Sequence, residues 1–288
     1  MPLYERQITL REKQGNKKNL AIGLGNLAHM AQLPIGALKS AEVNLRHSIA
    51  LCQEIEEEFN EAIGHLELGR LLAYRGLWAA AAATLDEALE LLEKQDHVQG
   101  QGVVIGYRAL TALLQVWAGE EQAAAALVAA GRSLELADED ARTSYPVERD
   151  YVRSHWLLGA AHRVNHHLDE SDHHLNEALT RCRSINAVDA EADILLDLAR
   201  LRLDQNQPEE ALRLATEAQE IAQRSGYVLQ EADAQLFFAE RALEQGNVPM
   251  AVDYARESRR LATCDGGEFV YKVTYDAAGE LLRRIGGQ

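Results

Sequence analysis

The densest set of titratable side chains is a run of imidazoles: His155, His162, His166, His167, His173 and His174, with Asp169 and Asp172 among them. His162 and His166 stand four residues apart, the spacing that puts two rings on one face of a helix, and neutral imidazole is a ready zinc ligand. Against a metal centre, the run straddles a turn that sends its rings to different sides, and no cysteine or HExxH pattern accompanies it. His162 and His166 are therefore a weak metal candidate, and the run reads first as a solvated turn with pH-sensitive rings. Covalent catalysis has less to build on, since there is no GxSxG elbow and no local pairing of Cys with His. For nucleotides, Gly23-Leu-Gly25-Asn26 and Gly100-Gln-Gly102 lack the flanking strand and the GK[ST] or GxGxxG context. Inside helices such glycines serve close helix contact. The acidic runs Glu56-Glu57-Glu58 and Glu209-Glu210 read as solvated faces and helix N-terminal charge. No catalytic residue and no cofactor is expected.

The elements that position these side chains repeat. Leu85-Asp-Glu-Ala-Leu-Glu-Leu-Leu and Leu175-Asn-Glu-Ala-Leu-Thr-Arg-Cys align without gaps, and Leu214-Ala-Thr-Glu-Ala-Gln-Glu-Ile follows with its Glu-Ala shifted by one place. Gly76, Gly119, His166, Asn206 and Gly246 punctuate the chain at intervals of 43, 47, 40 and 40 residues. A period in the range of roughly 20–50 residues marks a solenoid, propeller or array. Apolar residues follow the helical period and no sustained alternation appears. The 288 residues are 47% hydrophobic with only five prolines, a helix-forming mixture that can bury a long core. The net charge of −16 is dispersed along the chain without a dense Lys/Arg run. Nucleic acid and anionic membranes are thereby disfavoured as partners. The three cysteines Cys52, Cys182 and Cys264 fit no disulfide or metal framework, and no apolar run reaches the length of a membrane span. A reducing, cytoplasmic location is expected.

Helix pairs are expected at about 19–32 with 36–57, 60–75 with 78–94, 100–118 with 120–139, 148–164 with 168–185, 188–205 with 208–224, and 228–245 with 249–263. The corresponding repeats are 16–58, 59–97, 98–147, 148–186, 187–226 and 227–266. Residues 1–15 form an orphan helix that would complete a preceding repeat, leaving Leu3, Ile8 and Leu10 without their own partner. Residues 267–288 form a capping helix, its end marked by Arg283, Arg284 and Gly286-Gly287. The orphan helix suggests the C-terminal piece of a longer protein. The segment 138–150, with Pro146 disfavouring helix at Tyr145, reads as an irregular surface insertion.

Asp197-Leu-Ala-Arg-Leu-Arg-Leu-Asp-Gln-Asn-Gln-Pro-Glu-Glu-Ala-Leu resembles the tetratricopeptide repeat, with a small residue inside helix A, a turn, and Glu-Ala-Leu opening helix B. The matching small positions are Ala199, Ala211 and Ala218; Gly69, Ala81 and Ala88; and Ala239, Ala251 and Ser258. The resemblance covers nearly the whole chain, and its specificity lies in recurrence. Repeats of about 40 residues are similar to those in the sensor arms of bacterial signal-transducing (STAND) NTPases and maltose-regulator-like proteins, and in kinesin light chains. The implied fold is all-α: a right-handed α-solenoid of stacked antiparallel helix hairpins, a TPR-like superhelix. The implied function is a non-catalytic scaffold that binds a protein or peptide in its concave groove, as the ligand-sensing or interaction module of a larger signalling protein. The alternative is a small-molecule effector domain whose superhelix changes pitch. By the family's register the groove carries Arg70, Tyr74, Trp117, Trp156, Arg163 and Arg200. Arginines beside aromatic rings are the usual make-up of a binding hot spot, and here would clamp a carboxylate or an acidic peptide. The oligomeric state is left open.

Overall fold

In a computed structural model residues 2–286 are described, and they contain helices and no β-strand. In chain order these are α1 (Pro2–Gln14), α2 (Lys17–Asn26, continuing as a π-helix over Leu27–Gln32), α3 (Leu38–Glu54), α4 (Glu58–Tyr74), α5 (Trp78–Lys94), α6 (Val98–Trp117) and α7 (Ala123–Thr143). They continue as α8 (Glu148–Val164), α9 (Leu168–Ser184), α10 (Val188–Asp204), α11 (Pro208–Ser225), α12 (Val228–Glu244), α13 (Val248–Ala262) and α14 (Lys272–Gly286). The fold is an all-α solenoid of antiparallel hairpins.

One device ends almost every helix. The residue after the last helical turn takes a left-handed conformation at Gly36, Glu56, Gly76, Asp96, Gly119, His166, Asn186, Asn206, Gly226 and Gly246. The next N–H then donates to a carbonyl five residues back, as in Leu77 to Leu72 (3.0 Å), His97 to Leu92 (2.9 Å) and Gln207 to Arg202 (2.7 Å). This is a Schellman closure, which satisfies carbonyls that a helix end otherwise leaves open. Away from α6 and α7 the device recurs every 20 residues, once per helix.

Each odd-numbered helix from α3 to α13 hides one narrow stripe. Ala41, Ala81, Ala126, Ser171, Ala211 and Ala251 occupy one column of it and are all 0% exposed. A column further along holds Ser48, Ala88, Ser133, Ala178, Ala218 and Ser258, all buried. Three of those serines donate to a carbonyl of the preceding helix: Ser48 to Ala21 (2.7 Å), Ser133 to Gly102 (2.9 Å) and Ser258 to Ala232 (2.8 Å). Small residues are required where paired helices approach closely. At Gly69 an added Cβ would lie 2.6 Å from Leu85, and at Gly159 it would lie 2.6 Å from the Leu175 side chain. Cys52 and Cys182 sit in the same column as Leu92 and are fully buried, with thiols pushed up by burial to about 11 and about 12. They are used as small apolar residues, inert to redox chemistry.

The even-numbered helices pack on one another in succession, α2 on α4, α4 on α6, and so on to α12 on α14. They form an inner layer, and the odd-numbered helices pack outside it. The observed bounds differ from the expected ones in four places. The first A helix ends as a π-helix before the Leu33-Pro34 turn, so α3 starts at Leu38. α7 starts at Ala123, after the turn at Gly119. The segment 138–150 is not a loop throughout: α7 runs on to Thr143, since only Pro146 breaks helix there, and the link is confined to 144–147. α14 starts at Lys272, after a loop that uses left-handed Gly266 and Gly267. In α1, Ile8 packs against Leu20, Ala21, Leu24, Leu51 and Cys52, whereas Leu10 is exposed. The Leu3 side chain and Gly287 lie outside the described residues.

Candidate functional site

The inner layer closes around an axial chamber lined by Tyr74 of α4, Leu110, Leu114 and Trp117 of α6, Trp156 of α8, Asp193, Leu196, Asp197 and Arg200 of α10, Asp233 of α12, and Tyr271 just before α14. Its free volume is only about 20 Å³. That is room for a water molecule and for nothing larger. Of the groove residues expected from sequence, Tyr74, Trp117, Trp156 and Arg200 meet at this chamber. Arg70 and Arg163 sit on the same inner helices but are not among its lining.

Asp197 organises one wall. It is 1% exposed and accepts from Trp156 Nε1 (2.8 Å) and from Arg200 Nη1 (3.0 Å), while the Arg200 guanidinium lies 5.1 Å from the Trp117 ring centroid. Burial disfavours a charged Arg200, but Asp197, Asp233 and Glu240 together outweigh it and the guanidinium titrates above its ordinary range. The Trp117 Nε1 hydrogen is buried and finds no acceptor. On the neighbouring helix Asp233 accepts from Tyr271 Oη (3.0 Å) and from Thr274 Oγ1, and Tyr271 meets Tyr74 edge to face with ring centroids 5.6 Å apart. Among the described residues Asp193 accepts only from Gln230 Nε2 (3.0 Å). Burial, reinforced by Asp233 and Asp197, pushes its carboxyl up to about 7. Burial also raises Asp233, whereas Glu240, two turns further along α12, is exposed.

A second tier surrounds Tyr107. Arg70 pairs with Glu67 (2.6 Å) and lies 5.1 Å from the Tyr107 ring; Arg153 pairs with Asp150 (2.9 Å) and lies 5.7 Å from the same ring. Arg163 pairs with Asp204 (3.2 Å), and Arg241 with Glu244. The inner arginines are thus each committed to a carboxylate, whereas Asp193, Asp233 and Glu240 have no cation at ion-pair distance among the described residues. Arg70, Arg163 and Arg241 nonetheless each keep a buried Nε that finds no acceptor among the described residues.

Sequence reading passed over Asp193, Asp197, Asp233 and Tyr271, and a signal for three of them was present. Asp193 and Asp197 precede Arg200 at helical spacing, and Asp233 follows Asp193 by one 40-residue repeat.

The histidines form a ladder between α8 and α9 that runs from buried His155 out to the surface. His155 and His174 share a hydrogen bond between their Nδ1 atoms (2.9 Å), His162 and His167 approach through theirs (3.3 Å), and the His162 and His174 rings stack at 5.5 Å. His166 instead takes the left-handed turn position and is exposed, so it is His167 that meets His162. Among the described residues no group of three or more His, Cys, Asp or Glu is placed to hold a metal ion. Burial, then the neighbouring rings, lowers His174 to about 4, and burial lowers His155 and His162 as well.

Comparison with solved structures places the fold among TPR-like helical repeats. The chain superposes over its whole length on 80% of a Rap protein solved in complex with Competence and Sporulation Factor, with a TM-score of 0.65 and 12% identity. It superposes over 99% of its length on 80% of the apo form of RapI (TM-score 0.53, 16% identity). It also superposes over 96% of its length on 73% of aspartyl phosphate phosphatase F from Bacillus subtilis (TM-score 0.55, 9% identity). No family profile and no curated sequence matches the chain. Among the described residues no helix is long and apolar enough to cross a membrane.

Proposed function

We propose that this chain is a non-catalytic, peptide-binding helical-repeat scaffold whose ligand enters the axial chamber and presents a positive charge to it. The observation that carries the reading is the charge pairing of the inner helices. Arg70, Arg153, Arg163, Arg200 and Arg241 are each paired within the protein, while the chamber carboxylates Asp193 and Asp233 are not. A carboxylate held in a poorly solvated place gains most from an incoming ammonium or guanidinium. The rings of Tyr74, Trp117, Trp156 and Tyr271 supply flat apolar walls and π-faces to the same cation. The Rap protein of similar fold was solved with a bound factor, which supports ligand binding as the use of such an array.

We further propose that the chain is one solenoid of repeats 16–58, 59–97, 98–147, 148–186, 187–226 and 227–266, with 1–15 completing an earlier repeat and 267–288 capping the end. Its place in the cell would be the cytoplasm, as the interaction module of a larger signalling protein. The sensor arm of a STAND-type NTPase is one such setting, and it rests on repeat length alone. The test of the binding reading is an array of short peptides carrying one Lys or Arg, or none, probed with wild-type protein and with Asp193→Asn/Asp233→Asn. Cationic peptides should bind and lose most of their signal on the double variant. Equal capture of neutral and acidic peptides, or binding indifferent to the two carboxylates, would remove the assignment.

A further inference from the structure

The two ends of the solenoid touch. The turn between the first A helix and α3 lies against α12 and the loop that precedes α14: Val228 N donates to Pro34 O (2.8 Å), and Lys39 N donates to Asp265 Oδ2 (2.7 Å). Beside it, Arg75 at the end of α4 crosses to the same loop. Its guanidinium lies 4.1 Å from the Phe269 ring centroid, Nε donates to Glu268 O (3.2 Å), Nη2 pairs with the Glu268 carboxylate (3.2 Å), and Nη1 pairs with Glu42. Arg75 is 5% exposed, more deeply buried than a surface ion-pair partner. On the chamber side the same junction is the edge-to-face contact of Tyr74 with Tyr271. Parting these two rings parts the chamber wall.

We propose that this junction is a gate: the solenoid opens between the α3–α4 hairpin and the 263–271 loop, and Arg75 is the fastener that holds it shut. Three features support it. The free space between the chamber side chains is about 20 Å³, so a peptide seated between them requires their walls to part. One side of the junction is a loop with two adjacent left-handed glycines, Gly266 and Gly267, which ties α13 to α14 without helical backbone. The junction is also incompletely packed, with a crevice of about 230 Å³ between Ile35, Gly36 and Ala37 on one side and Val228, Leu261 and Cys264 on the other. The other helix neighbours in the solenoid are consecutive or alternate along the chain and tied by short turns; this pairing joins residues some 190 apart through one backbone hydrogen bond and a set of side-chain contacts. The purpose of the gate rests on the binding reading above, but its mechanics do not.

The test needs no ligand. A Cβ built on Gly36 lies 3.2 Å from Cys264 Sγ, within the reach of a disulfide, so Gly36→Cys can be locked to the native Cys264 by oxidation and released by dithiothreitol. In a Trp78→Phe background the remaining emission comes from Trp117 and Trp156 at the chamber, and acrylamide is the probe of access. The gate predicts a Stern–Volmer constant at least twofold lower in the locked form than in the reduced form. Arg75→Leu, without the lock, should quench more than the unlocked parent. Identical quenching in locked and reduced forms overturns the proposal whether or not Arg75→Leu folds, because the locked and reduced forms share one sequence. If locking restricts acrylamide yet the peptide array finds no binder, the gate stands and the peptide reading fails. Peptides captured equally by locked and reduced protein would show that the ligand does not pass this junction.

Discussion

Replacing Asp193 by Asn isolates the cost of holding a carboxylate in the chamber. In the folded chain its carboxyl titrates near 7, against 3.8 for an unhindered Asp. The sign follows from proton linkage. Between the two values the folded state holds a proton that the unfolded state has released, so this side chain's contribution is intact below 3.8 and is lost as pH rises through 7. At full weight three pKa units correspond to about 4 kcal/mol. Asp193 is only partly hidden, and discounting for solvent leaves an expected loss of about 1–2 kcal/mol between pH 5 and pH 8. Asn keeps the shape, removes the charge and can still meet the Gln230 amide, whose oxygen is buried without a donor. Urea unfolding of both proteins at pH 5 and pH 8 provides the comparison, and other titrating groups cancel in the difference. The variant should gain about 1–2 kcal/mol on the wild type in going from pH 5 to pH 8. A difference that is flat with pH, or a variant that loses ground at pH 8, would refute a neutral, poorly solvated Asp193.

Other expectations concern the packing and the ladder. Gly159→Ala forces a methyl to within 2.9 Å of the Leu175 backbone nitrogen and should cost about 1–3 kcal/mol by urea unfolding, whereas Gly131→Ala, with nothing within 4 Å, should gain about 0.5–1 kcal/mol; equal effects would discredit the close helix approach. Arg200→Leu strands the buried Asp197 beside its remaining Trp156 donor and should cost about 3 kcal/mol, most of it recovered by adding Asp197→Asn; a failure of that recovery would show that Arg200 acts through packing alone. His174, lowered to about 4, is neutral when folded and charged when unfolded between about 4 and 6.5, so acidification through that window should weaken the fold by about 1 kcal/mol after discount for exposure. His174→Phe should flatten that dependence, and a titration of His174 by nuclear magnetic resonance at an ordinary imidazole value would contradict it.

The repeating hairpin was legible because its causes are local. Ala81, Ala88, Ala211, Ala218, Ala251 and Ser258 recur at fixed spacing because two helices can approach only across small side chains, and the structure buries each of them completely. The 20-residue half-period was harder to see, since at Glu56 (φ 55°) and Asp96 (φ 51°) the left-handed turn position is filled by a residue that announces nothing. The inner arginines were visible as residue types but not as pairs. Whether Arg70 is free or held by Glu67 depends on rotamers, and Glu67 reads in sequence like any solvated acid. The junction of Arg75 with Glu268 and Phe269 had no sequence signal at all. It arises from the summed rotation of successive hairpins, and a few degrees per repeat decide whether the two ends meet or pass.

The central claim, that the axial chamber receives the ligand, is most directly tested by photo-crosslinking. A cationic peptide selected on the array would carry a benzophenone next to its Lys or Arg, and the crosslinked residues would be mapped by mass spectrometry. Attachment at Tyr74, Trp117, Trp156 or Tyr271 is the predicted result. Attachment confined to the outer helices α5, α9 and α11, or to the 144–147 link, would contradict it.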